Sequence, residues 1–196
     1  MPYSLDQAKV LLQTTERTPQ ALLNLVRQIS VEATGSITVF YGGNLPDGSN
    51  ATAVIGKMVE AGEDIRVIDR TPVGKFLLSP EFLAAAGQAS GLSGDDLDLF
   101  VRGELGKNPA TDWIYSADIN SGPWAAASKN FAAATTGEVR LFVSGSTADR
   151  ALRGHERFGV TRRFGVRSCL LPLSNPTTPS STLSSSGGSK PSNLLF

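Results

Sequence analysis

The sequence predicts an α/β fold: a helical N-terminal half plus a small, mostly parallel sheet flanked by helices. Three observations carry this reading. A cap residue followed by proline, the signature of a helix start, occurs at Thr18-Pro19, Thr71-Pro72 and Ser79-Pro80. Three short runs, Ile37–Tyr41, Ile65–Ile68 and Glu138–Val143, have the character of strands. Helix-like segments lie between those runs, so the elements alternate.

The elements follow in order. Ser4-Leu5-Asp6-Gln7 has the spacing of a capping box, in which serine and glutamine each satisfy a backbone N–H of the other, and a short helix should follow. After Thr18-Pro19, residues Leu22, Leu23, Val26 and Ile29 form one apolar stripe at helical spacing. Gly42–Gly48 is nearly all turn formers and must be a loop. Ser49 is positioned to cap a helix with the apolar face Val54, Ile55, Met58 and Val59. Helices are expected at Pro72–Leu78 and Pro80–Ala89. Another should run from Ser93 to about Leu105, where Asn108-Pro109-Ala110 breaks it. Trp124–Ala134 is alanine-rich and should be helical. Gly137 stops it before the last strand.

Composition bounds the function. The 196 residues suit one domain with a real core. Eighteen basic residues balance eighteen acidic ones, which argues against nucleic acid as a partner. The single cysteine, Cys169, excludes an intramolecular disulfide and a cysteine-rich zinc site. The first residues lack a basic region followed by an apolar run, and no stretch has the length and apolarity of a membrane span. The expected setting is therefore cytoplasmic, or exported without a classical signal peptide, with no membrane partner.

The character changes near Arg150. Six arginines and one acidic residue, Glu156, occupy Arg150–Arg167, and no Asp or Glu follows. From Ser174 onward Ser, Thr, Pro and Gly dominate, a composition that cannot bury a core. Three regions are expected: N-terminal helices in 1–35, a main domain in 36–173 that is atypical after 150, and a disordered tail in 174–196. The abrupt shift fits either a natural tail or a change of reading frame.

Several residues fall where a side chain can face a ligand. Tyr41 closes a strand before a glycine-rich loop, and Gly42 allows close backbone approach. Asp69 precedes the Thr71 cap. Trp124 opens its helix, and Ser128, four residues on, shares that helix face. Each also has a structural reading: Tyr41 as a half-buried strand tyrosine, Trp124 as core, Asp69 as a turn acceptor and Thr71 as a plain cap. Phe131 reads as core. His155 is the only histidine, and no serine elbow accompanies it.

The order and spelling of three segments resemble the ADP-ribosyl cyclase / NAD glycohydrolase family, in the manner of its disulfide-free, toxin-like microbial members. Phe40-Tyr41 looks like the family's aromatic pair at a strand end, with Tyr41 in the place of a tryptophan that stacks on nicotinamide. Asp69-Arg70-Thr71-Pro72-Val73-Gly74 is similar to its acidic-x-Thr-x-x-Gly segment. Trp124, Ser128, Phe131 and Ala132, followed by the Glu138–Val143 strand, match its Trp-x-x-x-Ser-x-x-Phe-Ala helix. The resemblance spans about Ile37 to Glu156. It implies NAD as substrate, with nicotinamide and ADP-ribose as products and cyclic ADP-ribose as a further one. No metal or resident cofactor is implied. Trp124 and Tyr41 would hold the nicotinamide, Asp69 would orient it, and Ser128, Thr71 and Gly42 would contact the dinucleotide. Counting from Asp149 puts Glu156 in the position of the catalytic glutamate. Arg150, Ala151 and Leu152 stand where the family has small hydroxyl and phenylalanine residues that bind phosphate. By analogy, the setting is an NAD-depleting effector with a protein inhibitor. Two other readings stay open: a degenerate, non-catalytic nucleotide-binding or interaction module, and an enzyme transferring ADP-ribose to protein.

Overall fold

The computed structural model describes residues 1–42 and 50–143. The helix starts follow the expected chemistry. In α1 (Leu5–Thr14) the capping box is complete, with Gln7 N donating to Ser4 Oγ and Ser4 N donating to Gln7 Oε1. Thr18 caps α2 (Pro19–Val26) by accepting from Ala21 N. After β1 (Ile37–Gly42) comes α3 (Ala51–Glu60). Its cap is Asn50 rather than Ser49, with Oδ1 accepting from Thr52 N at 2.8 Å. Asparagine and serine cap about equally well, so the pattern alone did not separate them.

The second strand is shorter than expected. β2 is only Ile65–Arg66, and Ile68–Arg70 winds into a 3-10 turn. The cause is the next helix, α4 (Pro72–Leu77). Thr71 must take the cap position, and both its N–H and its hydroxyl donate back to the Ile68 carbonyl, at 3.0 and 2.6 Å. That closes a turn where strand was predicted. α5 is Pro80–Ala89, as expected. α6 (Gly94–Val101) stops short of the predicted end near Leu105. Gly103 takes φ +72°, and Glu104 N reaches back to the Leu99 carbonyl at 2.8 Å, a glycine-type helix stop. The Asn108-Pro109 break is itself a start: Asn108 caps a 3-10 segment, Pro109–Tyr115. α7 (Pro123–Ala133) and β3 (Glu138–Val143) complete the described chain.

The architecture is mixed α/β around a three-stranded parallel sheet of order β2-β1-β3. The α-helices α1–α6 all begin at or before Gly94, and α7 follows the 3-10 segment just ahead of β3. β1 pairs with β3 along its full length, from Ile37↔Glu138 to Gly42↔Val143. With β2 it pairs only at Ile37↔Ile65 and Thr38↔Arg66.

The buried residues form two clusters. The larger lies among the helices, where Leu22, Val26, Val73, Phe76, Phe82, Ile114 and Ala127 are fully shielded from water. Residues of α1 and α2 belong to it, so the N-terminal helices share one core with the later ones. The smaller cluster lies between the sheet and α3 and contains Val39, Ile55, Met58, Ile65 and Val67.

Candidate functional site

Because β2 leaves β1 after two pairs, the sheet splits. Beyond Thr38↔Arg66 the chain of β2 turns away while β1 continues to Gly42. A cavity of about 190 Å³ occupies the split. β1 contributes Val39, Phe40 and Tyr41, the 3-10 turn contributes Ile68 and Asp69, and α7 contributes Trp124, Ser128 and Phe131. The crevice at the carboxyl ends of parallel strands is the usual ligand position in open α/β sheets. Cavities for whole drug-sized ligands run from about 300 Å³ upward. This one suits a single aromatic ring.

The walls are mostly apolar, and Asp69 is the one charged residue among those lining the cavity. Tyr41 and Asp69 are each partly buried, and the Tyr41 hydroxyl donates a hydrogen bond to Asp69 Oδ2. Burial pushes the Tyr41 phenol well above its ordinary value, and the Asp69 hydrogen bond and negative charge push it the same way. The phenol therefore stays protonated and serves as a donor. Phe40 and Phe131 form the floor, with ring centroids 5.4 Å apart and planes tilted by 60°. Arg66 lies behind the floor: its guanidinium sits 5.9 Å from the Phe131 ring centre, and its Nε donates to Thr38 Oγ1 at 3.0 Å. Trp124 and Ser128 are partly buried one helical turn apart on α7.

Four of the sequence-derived candidates, Tyr41, Asp69, Trp124 and Ser128, thus come from three separate segments to one cavity. Gly42 ends β1, beside the lining residues. Thr71 is elsewhere: it is fully buried, and its hydroxyl accepts from Gly74 N at 3.0 Å while donating to Ile68 O. It shapes the turn that carries Asp69 instead of lining the cavity. Glu156 and His155 lie outside the described residues.

Gly74, which the sequence offered only as the last residue of the acidic-x-Thr-x-x-Gly segment, proves to be a supporting residue. A Cβ there would stand 2.1 Å from the Ile68 carbonyl oxygen and 2.7 Å from Asp69 Cα. Only glycine lets α4 pack directly against the turn bearing Asp69. Sequence reasoning missed Val39 and Ile68 as walls, because the end of the β1–β2 ladder is not written in either strand. Among the described residues, no group of three or more His, Cys, Asp or Glu side chains could hold a metal ion. No described helix is long and apolar enough to cross a membrane. No protein-family model, curated protein or solved structure matches the chain.

Proposed function

We propose that the chain cleaves NAD to nicotinamide and ADP-ribose, with cyclic ADP-ribose as a further product. On this reading its α/β fold is ADP-ribosyl cyclase-like. The observation that carries the reading is the meeting of Tyr41, Asp69, Trp124 and Ser128 at one ring-sized cavity. The nicotinamide of NAD is a flat cation. A tryptophan face attracts a cationic ring, and a lone carboxylate in apolar walls favours positive charge. An anionic acceptor such as Asp69 suits the N–H of a carboxamide.

In the reaction the bond between nicotinamide and ribose breaks, and its electron pair leaves with the pyridine nitrogen, giving neutral nicotinamide. Positive charge develops on the ribose. Glu156 is the proposed carboxylate that stabilises it, as carboxylates do in glycoside cleavage. Water then adds to the sugar and loses a proton. Attack by the adenine ring instead would give the cyclic product. NAD is the substrate, so the reaction calls on no resident metal or cofactor. An NAD-depleting effector restrained by a protein inhibitor is the proposed setting, in the cytoplasm or after export without a classical signal peptide.

The stretch after Arg150, where Arg150, Ala151 and Leu152 replace the residues that the resemblance leads one to expect, favours a second reading, a degenerate nucleotide-binding or interaction module without catalysis. The test is nicotinamide release from NAD by the purified chain, beside Glu156→Ala and Trp124→Ala. Release that falls at least a hundredfold in both variants is the expected result. NAD binding without release by the folded wild-type chain would replace the enzyme with the second reading. Label from the ADP-ribose moiety retained on protein would indicate transfer instead of hydrolysis.

A further inference from the structure

The Tyr41–Asp69 hydrogen bond joins two residues that a longer β1–β2 ladder in the same register would have set opposite each other. Tyr41 and Asp69 each stand three residues beyond the last ladder pair, Thr38↔Arg66, and the same separation of 28 residues links both pairs. A side-chain bond thus links the two segments beyond the end of the backbone ladder, and both of its residues line the cavity. Asp69 sits in a turn of three residues whose own hydrogen bonds involve backbone and Thr71, and these do not fix the carboxylate. Among the described residues, the group that does so is the Tyr41 phenol.

We infer that Tyr41 is a positioning residue that acts through Asp69: its phenol clasps Oδ2 and holds the carboxylate against the cavity, where Oδ1 meets a cationic ring. This rests on the proposed nicotinamide site and deepens it. It also changes the part assigned to Tyr41. The sequence suggested an aromatic face for stacking, whereas the geometry gives its hydroxyl the decisive role. Without the clasp, the partly buried Asp69 would turn toward water, and the apolar cavity would lose its one fixed charge. A ring would still fit, but the preference for a cation would go.

Trp124 lines the cavity, so its fluorescence reports occupancy without any need for turnover. The second tryptophan, Trp113, is removed as Trp113→Phe to isolate that signal. Two probes of nearly one shape are titrated, cationic 1-methylnicotinamide and neutral nicotinamide. In Tyr41→Phe the affinity for the cation should fall about tenfold, the scale of one hydrogen bond to a charged group, while that for nicotinamide stays within about twofold. Adding Tyr41→Phe to Asp69→Asn should change neither affinity further. A merely structural role would weaken both probes together, and that result overturns the inference. Unchanged cation affinity in Tyr41→Phe overturns it too, while leaving the nicotinamide site standing. If neither probe quenches Trp124 in the folded chain, the site itself is wrong, and the inference fails with it.

Discussion

The helical core and the split end of the sheet are built from different kinds of interaction. In the core, Phe76 and Phe82 are fully buried with ring centroids 5.2 Å apart, and the polar groups nearby serve as caps that bond to backbone. At the split, Tyr41, Asp69, Trp124 and Ser128 are only partly buried, and a side-chain pair, Tyr41 with Asp69, bridges two elements that no longer share a ladder. Regular structure satisfies its own backbone and fills its own volume, so it has nothing left to offer a ligand. A binding surface needs an element to stop early. Here the demand of Thr71 for a cap ends β2 after two residues, and the cavity is the consequence.

Two substitutions measured together sharpen this contrast. Phe76→Ala should cost about 3–5 kcal/mol in urea unfolding, the usual result of emptying a closed core site. In whatever fraction stays folded, it should leave the affinity for 1-methylnicotinamide unchanged. Gly74→Ala should cost less, about 1–3 kcal/mol, because a methyl group driven into Ile68 O forces the turn to move. Yet it should abolish probe binding, since that turn carries Asp69. If Gly74→Ala binds the probe normally, the turn does not position the site.

The smallest effect is a pH dependence. The Tyr41 phenol is raised above its ordinary value of 10.0, so above that pH the unfolded chain releases this proton while the folded chain keeps it. The group's contribution is therefore fully present below about pH 10 and is lost as pH rises toward the folded value. Urea midpoints should fall in the alkaline range, and more steeply for the wild type than for Tyr41→Phe. Equal slopes would mean that the phenol is not held by burial and Asp69.

Much of the helical region was legible because caps are local. Ser4, Thr18, Thr71 and Ser79 each bond a backbone N–H within three residues, so their chemistry is complete in a short window of sequence. The end of α6 was legible in principle through Gly103, but an apolar Leu105 beyond it suggested continuation. The split was not legible. Ile65–Ile68 has the composition of a strand throughout, and its early end depends on competition between a ladder and a helix cap, which is settled only in three dimensions. The same holds for Gly74, which reads as a poor helix former until its contact with Ile68 is known. Tyr41, Asp69, Trp124 and Ser128 could be picked out singly by type and position. Their meeting, and the bond between the first two, required the fold.

The most direct test of the central claim is a crystal structure of the chain grown in saturating 1-methylnicotinamide. The account predicts the ring in the split of the sheet, against Trp124, with its carboxamide on Asp69 and the Tyr41 hydroxyl still on the other carboxylate oxygen. A ring bound elsewhere, or an empty cavity with Asp69 turned to solvent, would contradict it.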